Sequence, residues 1–168
     1  RIIESHSPLA GLIIENSKVK KGKKYLEYDG MWSSSLTESL LRGKPDNQSV
    51  ELSTRIGALN EILDVTIKPI IFDADNGGRI EHLSYKISSL ERQGVSAIVL
   101  EDKIGLKKNS LFKDQKNTKQ DSVGNFCKKI KVATKSRKSE SFLIIARIES
   151  FILGKGINDA LKRANEYS

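Results

Sequence analysis

Short apolar runs rich in β-branched residues alternate along the chain with longer stretches whose apolar residues recur at helical spacing. The short runs predict five strands, at Ile2–Ser5, Tyr28–Ser33, Ile67–Asp75, Val95–Asp102 and Phe142–Glu149. Their near-continuous apolar character is typical of strands that are covered on both faces, as in a parallel sheet.

The stretches between these strands predict helices. A helix-like segment runs from Leu9 to Glu15, and Gly94 stands where a helix C-cap would be expected. Three apolar stripes, which we expect to pack against the sheet, are Leu52, Ile56, Leu59 and Leu63; Ile80, Leu83, Ile87 and Leu90; and Ile157, Ala160, Leu161 and Ala164. Strands alternating with helices indicate an α/β fold with right-handed crossovers. Since no repeat or proline-rich linker interrupts the pattern, we expect one domain over residues 1–168.

Composition narrows the class of protein. The 168 residues are 38% hydrophobic and 30% charged, as in a globular domain. No apolar run reaches the roughly 20 residues that cross a bilayer, and the N-terminus lacks a signal-peptide pattern. Cys127 is the single cysteine, so an internal disulfide is excluded, and we expect it to pack within a helix. These features predict a cytoplasmic protein without a membrane partner.

The positive charge is regional. The net charge is +8, but the stretch Lys103–Lys138 holds twelve basic and two acidic residues, so the rest of the chain is nearly neutral. A smaller run lies in a predicted loop, at Lys18, Lys20, Lys21, Lys23 and Lys24. Such runs can bind nucleic acid, but that function would leave the acidic residues described next unexplained. We therefore interpret the lysines as a solvated surface.

Polar residues cluster where the predicted strands end, which is where parallel α/β proteins bind ligands. The clusters are Trp32–Leu36, Asp73–Gly78, Glu101–Lys103 and Arg147–Glu149. A lysine-rich segment, Lys103–Ser110, follows the fourth strand and could close over an anionic ligand.

Three of these side chains predict a metal site. Asp73 and Asp75 are two residues apart and would share one face of a strand, and Glu101 would join them from the next strand. Clustered carboxylates without nearby His or Cys favour Mg²⁺, with Mn²⁺ as a second candidate. The alternative is that the acids cap helices or pair with lysines. Arg147 offers a planar fork for phosphate or carboxylate, or a structural ion pair with one of the acids.

Taken together, these motifs resemble the isocitrate lyase and phosphoenolpyruvate mutase superfamily, and most closely its phosphoenolpyruvate mutase branch. The resemblance runs from Ile3 to Tyr167 and is carried by Trp32–Leu36, Asp73–Gly78, Glu101–Lys103, Lys107–Leu111 and Ala146–Ser150. Residues 17–27 depart from the pattern as an insertion, and Asn76 stands where many members have threonine.

The resemblance implies a (β/α)₈ TIM-type barrel that interconverts phosphoenolpyruvate and phosphonopyruvate with Mg²⁺. It implies that Asp46 is the nucleophile that takes up the phosphoryl group, although its position alone favours a helix cap before the Val50–Leu63 pattern. The implied catalytic residues are Asp46, Lys107, Asn109 and Arg147. The implied substrate-binding residues are Trp32, Ser34, Ser35, Leu36, Ser110 and Arg147, and the implied metal-binding residues are Asp73, Asp75 and Glu101.

Two relatives within the resemblance offer alternative activities. Lyases of the superfamily carry a catalytic cysteine after the fourth strand, and the segment Lys103–Lys107 has none. Phosphonopyruvate hydrolases share most of the site, and Asn109 favours the mutase over them.

The length departs from a complete barrel, which usually needs ~250 residues and eight strands. The chain supplies about five strand–helix units, so we expect a fragment of a longer protein or a truncated paralogue, inactive or nearly so by itself. For the full-length protein we expect a homo-oligomer acting on a small-molecule substrate.

Overall fold

The computed structural model describes residues 1–105, 107–111, 115 and 118–168. The strands in these residues are β1 (Ile2–Glu4), β2 (Lys18–Lys21), β3 (Lys24–Glu27), β4 (Gly30–Ser33), β5 (Ile70–Asp73), β6 (Ala97–Glu101), β7 (Lys103–Ile104), β8 (Lys119–Gln120) and β9 (Leu143–Arg147). The helices are α1 (Pro8–Asn16), α2 (Ser35–Leu41), α3 (Leu52–Leu63), α4 (Ile80–Gln93), α5 (Val123–Ser136) and α6 (Gly156–Tyr167). None of the helices described is long and apolar enough to cross a membrane.

The five predicted strands form one parallel sheet in the order β1-β4-β5-β6-β9. Each new strand of this sheet is added beside the previous one, and helices connect them, so the predicted α/β fold with a parallel sheet is confirmed. The strands are shorter than predicted because several of the polar residues at their ends belong to turns. All five carboxyl ends meet along one edge of the sheet.

The core lies between this sheet and the helices that cover it. Phe72, Ile98 and Leu100 of the sheet are fully buried, as are Leu59 of α3 and Ile87 of α4. The first two predicted stripes therefore face the core, and Gly94 caps α4 in the left-handed conformation, with φ of 94°. Cys127 lies half-buried on α5, where its thiol contacts the Glu166 carbonyl of α6 at 3.3 Å.

The third predicted stripe is wrong in its orientation. Ile157 and Leu161 are each 55% exposed, whereas Ala160 and Arg163 are buried. In the part of the chain that the structure describes, α6 packs mainly on α5, so the face that covers its neighbour is offset from the apolar stripe.

The lysine run between Lys18 and Lys24, which was predicted as a loop, is instead part of a two-stranded antiparallel hairpin of β2 and β3. Gly22 and Lys23 connect the paired residues Lys21 and Lys24, and Gly22 adopts a φ of 62° that suits a tight turn. Lysine is uncommon in strands, which hid the hairpin from the sequence pattern.

The turn after β5 positions two of the predicted acidic residues differently from the expectation. The strand ends at Asp73, and Asp75 has a left-handed φ of 52°, so the two do not share a strand face. The Asp75 amide donates to Asp73 Oδ1 at 3.0 Å, and the Gly77 amide donates to the Ala74 carbonyl at 2.8 Å. Lys129 Nζ donates to the Asn76 carbonyl at 2.7 Å and ties the turn to α5.

Gly77 and Gly78 offer a matched test of how tightly this turn is built. Both have left-handed φ angles, of 76° and 71°, so alanine at either position costs about 1–2 kcal/mol in backbone strain. A Cβ on Gly77 would also lie 2.9 Å from Leu100 Cδ2 inside the core, whereas a Cβ on Gly78 would meet only the far end of the Lys86 side chain. We expect Gly77→Ala to lower the free energy of unfolding, measured with urea, by about 1–3 kcal/mol more than Gly78→Ala does. Equal losses would contradict a close packing of Gly77 against the core.

Candidate active site

A cavity of about 200 Å³ lies at the carboxyl edge of the sheet. Every residue predicted for the site except Asp75 lines it, together with Leu111: Trp32, Ser34, Ser35, Leu36, Asp46, Asp73, Glu101, Lys107, Asn109, Ser110 and Arg147. The volume is below the ~300–1,000 Å³ typical of pockets for drug-sized ligands. It therefore suits a small polar molecule.

The β4–α2 junction places three of the lining residues. Ser34 is the N-cap of α2, and its hydroxyl accepts a hydrogen bond from the Leu36 amide at 3.2 Å. This cap turns the chain sharply after β4, so that Ser35 enters the site. The Ser35 hydroxyl donates to Asp73 Oδ2 at 3.0 Å.

The Lys107 ammonium group joins three segments of the chain inside the site. It contacts Asp46 Oδ1 at 2.8 Å and also donates to Asp75 Oδ1 and the Ser35 hydroxyl. The side chains of Asp46, Asp75 and Lys107 are each less than a tenth exposed. Burial opposes the charged form of Lys107, but Asp75 and Asp73 outweigh it and raise the pKa of the amine above its ordinary value. Lys107 is thus a buried cation at neutral pH.

Asp46 is held on both carboxylate oxygens by the segment that contains Lys107 and Asn109. Besides Lys107, the Asn109 side-chain amide donates to Asp46 Oδ2 at 3.1 Å. The helix-capping alternative for Asp46 is excluded, because α3 begins at Leu52 with Glu51 as its N-cap. Both carboxylate oxygens of Asp46 therefore contact residues that were expected to form a closing loop.

Asp73 and Glu101 place two buried carboxylates on the cavity wall, at the ends of adjacent strands. Burial raises the pKa of Glu101 to about 7, although the positive charges of Lys103 and Arg147 oppose the rise. Hard carboxylate oxygens of this kind suit Mg²⁺ or Mn²⁺. Among the described residues, however, no three His, Cys, Asp or Glu side chains are grouped to hold an ion together.

Asp75 faces cations and not the cavity. One of its oxygens contacts Lys107, and the other accepts from Arg55 Nη1 at 3.4 Å. The sequence-based alternative, in which an acid of this cluster pairs with a lysine, therefore describes Asp75 in this structure.

Arg147 lines the cavity and remains about a third exposed. Its Nε lies 2.6 Å from Glu149 Oε1, and its Nη2 donates to the Ser110 hydroxyl at 3.1 Å. Glu149 also pairs with Lys103 at 2.7 Å. The ion-pair alternative for Arg147 is thus realised, and the pair leaves part of the guanidinium open to a ligand.

Two supporting networks were missing from the sequence-based site. Glu149 and Lys103 are fully buried beside Arg147, and their places within the predicted clusters Glu101–Lys103 and Arg147–Glu149 were a usable signal. Asp102 accepts from Arg163 at 3.0 Å and from Tyr167 at 2.8 Å, and its other oxygen accepts the Glu149 amide at 2.9 Å. No local pattern could have linked Asp102 to a helix about sixty residues later in the chain.

Comparisons with known proteins identify the family of the chain. A family model described as phosphoenolpyruvate phosphomutase matches residues 1–168. The phosphoenolpyruvate phosphomutase of Tetrahymena pyriformis is 32% identical over 167 residues, which are 99% of this chain and 52% of that protein. The phosphonopyruvate hydrolase of Variovorax sp. strain Pal2 is 30% identical over 164 residues, 97% of this chain and 53% of that protein. The chain therefore spans about half the length of these curated relatives.

Solved structures give the same result. The phosphoenolpyruvate phosphomutase from Streptomyces platensis subsp. rosaceus superposes with a TM-score of 0.88 at 30% identity, covering 99% of this chain and 55% of that one. A phosphonopyruvate hydrolase in complex with oxalate and Mg²⁺ superposes with a TM-score of 0.83 at 29% identity, covering 99% and 53%. The sheet and its helices thus match the TIM-barrel-type fold of these enzymes, and the chain belongs to the phosphoenolpyruvate phosphomutase family of the isocitrate lyase and phosphoenolpyruvate mutase superfamily.

Proposed function

We propose that this chain carries the active site of a phosphoenolpyruvate mutase, an isomerase that interconverts phosphoenolpyruvate and phosphonopyruvate. The observation that carries the proposal is the Asp46 carboxylate, which lines the small cavity and is held between Lys107 and Asn109. A carboxylate held in this way is a nucleophile whose position is fixed by its neighbours.

The proposed reaction consists of two displacements at phosphorus. An Asp46 oxygen attacks the phosphorus of phosphoenolpyruvate, the bond between phosphorus and the enol oxygen breaks, and its electron pair remains on the pyruvate enolate. The methylene carbon of the enolate then attacks the phosphorus, and the bond to Asp46 breaks. The carboxylate is regenerated, and no proton is gained or lost.

The surrounding residues position the substrate and stabilise charge. Lys107 lies beside Asp46, where its positive charge would stabilise the phosphoryl group during each transfer. The open part of Arg147 would hold the substrate carboxylate. Ser110 and Asn109 would cover the phosphoryl group, while the backbone at Ser34–Leu36 and the indole of Trp32 would form the opposite wall.

Asp73 and Glu101 are the residues that fit a divalent cation, since both present carboxylates to the cavity. Mg²⁺ is commonly held by only one or two carboxylates, with water and substrate oxygens completing its shell. When bound, the cation would stabilise the negative charge on the enolate oxygen. In this proposal the role of Asp75 is to hold Lys107 beside Asp46.

Phosphonopyruvate hydrolysis is the second candidate, since a hydrolase is among the similar proteins. The same cavity would support it if water, in place of the enolate carbon, attacked the phosphorus carried by Asp46, so that the bond to Asp46 breaks, inorganic phosphate leaves and the enolate takes up a proton to give pyruvate. Asn109 favours the mutase, because its contact with Asp46 covers the nucleophile with the closing segment and restricts water.

The products formed from phosphonopyruvate separate the two activities. In the enzyme that contains this chain, we expect phosphorus NMR to show phosphoenolpyruvate appearing with little inorganic phosphate. Asp46→Asn removes the nucleophile and should lower turnover by about 10³-fold or more. Asp64→Asn is a matched control, since Asp64 is exposed at the C-terminal end of α3, and it should turn over normally. Stoichiometric phosphate would identify a hydrolase and overturn the mutase proposal.

Metal affinity tests the assignment of Asp73 and Glu101. Asp73→Asn and Glu101→Gln each remove one charged oxygen ligand, and we expect each to weaken Mn²⁺ binding, measured by electron paramagnetic resonance, by roughly tenfold or more. Asp64→Asn again provides the control and should bind Mn²⁺ as the unmodified protein does. Unchanged affinity in both site variants would place the ion elsewhere.

A further inference from the structure

A row of alternating charges runs from behind the cavity to the proposed nucleophile. In order, this charge row consists of Glu38, Arg55, Asp75, Lys107 and Asp46. Each member contacts the next, and every side chain is less than a tenth exposed. Glu38 and Arg55 do not line the cavity that holds Asp46, and the side chain of Arg55 contacts the site through Asp75.

Arg55 is the most deeply buried member of the charge row. It is 1% exposed, and its Nε lies 3.1 Å from Glu38 Oε2. The guanidinium also stacks 4.6 Å from the centre of the Phe72 ring. Glu38 is fixed in turn by the Ser33 hydroxyl, which donates to it at 3.0 Å. The guanidinium of Arg55 is therefore held by the Phe72 ring and by an acid that Ser33 fixes in turn.

Packing and stability alone do not account for this pair. Taking two charges out of water is costly, and an apolar pair of similar volume is often as stable or more stable. Arg55 Nη2 is buried without a hydrogen-bond partner among the described residues, which adds a further cost. The arrangement is therefore explained better by what Arg55 does to its second acid, Asp75.

The Asp75 side chain depends on cations for its orientation. Its backbone is anchored by the Glu101 amide, which donates to the Asp75 carbonyl at 2.8 Å, and by its own bond to Asp73. The carboxylate contacts Arg55 on one oxygen and Lys107 on the other. By holding Oδ2 of Asp75, Arg55 thus directs Oδ1 toward Lys107.

We propose that Arg55, held by Glu38, is a positioning residue that orients Asp75 and thereby keeps the Lys107 ammonium group beside Asp46. The proposal rests on the proposed function of Asp46 and Lys107. Without Arg55, the Asp75 carboxylate loses one of its two cations and can rotate away, and Lys107 loses a fixed partner. The expected consequence is slower phosphoryl transfer with nearly normal substrate binding, because neither Arg55 nor Glu38 lines the cavity.

The test combines Glu38→Met with Arg55→Met, which replaces the buried pair with two long apolar side chains. We expect a urea unfolding midpoint equal to or above that of the unmodified protein, and a kcat that falls by about tenfold to a hundredfold with KM nearly unchanged. A second readout needs no substrate: labelling of Lys107 by an amine-acylating reagent, mapped by mass spectrometry, should rise several-fold. Labelling of Lys103, which pairs with Glu149, should not change.

The matched control is Glu27→Met with Lys68→Met, which removes an ion pair of 3.2 Å outside the site. It should alter neither kcat nor Lys107 labelling. Arg55→Lys covers the case in which the double variant fails to fold, because it keeps the buried charge but loses the fork. With a normal unfolding midpoint, it should show a smaller fall in kcat and a smaller rise in Lys107 labelling.

The outcomes distinguish this inference from the proposed function. Unchanged kcat and Lys107 labelling in folded Arg55 variants would overturn the positioning role, whatever reaction the enzyme catalyses. If the unmodified enzyme converts neither phosphoenolpyruvate nor phosphonopyruvate, while Lys107 labelling still rises in these variants, the proposed function fails and the positioning of Lys107 by Arg55 is supported.

Discussion

The buried ammonium group of Lys107 is the contact on which the geometry of the site depends. Asp46, Asp75 and the Ser35 hydroxyl belong to three separate segments of the chain, and each bonds to this one nitrogen. Two buried carboxylates repel each other unless a cation or a proton lies between them. Lys107 therefore allows the segment before α3 and the turn after β5 to approach each other, and the approach encloses the cavity. The cation that completes the structure is also the one for which we propose a role in phosphoryl transfer.

The parallel sheet explains why the other polar residues can share this space. Asp73, Glu101 and Arg147 are the last residues of three adjacent strands, and Glu101 pairs directly with Arg147 in the sheet register. Their backbones are fixed by neighbours on the sheet, so their side chains start from a rigid base. The networks around Glu149 and Asp102 contact the residues at the same edge of the sheet. Rigid strand ends hold the acids, and longer connecting segments supply Asp46 and the cation that it contacts.

Local patterns were sufficient for much of this structure. The five strands, the first two helical stripes and the grouping of Asp73, Glu101 and Arg147 follow from hydrophobic periodicity and from the common direction of parallel strands. The orientation of Asp75 did not follow, because it depends on where β5 ends and on a left-handed backbone. Asp46 looked locally like a helix cap, and only the family resemblance pointed to its other role. Pairs such as Glu38 with Arg55, or Asp102 with Arg163, join residues distant in sequence, and single-sequence patterns carry no record of them.

The contacts of Asp46 have a consequence for the timing of events in the site. Its two oxygens bond to Lys107 and Asn109, which lie two residues apart on one segment. If that segment lifts to admit a ligand, both bonds break together, and the carboxylate becomes hydrated and free to rotate. The segment can then either admit a ligand or hold Asp46 in position, but it cannot do both at once. If Asp46 acts as proposed, the segment would have to close before the phosphoryl group is transferred. The phosphoryl group on Asp46 would then be shielded from bulk water without a separate lid.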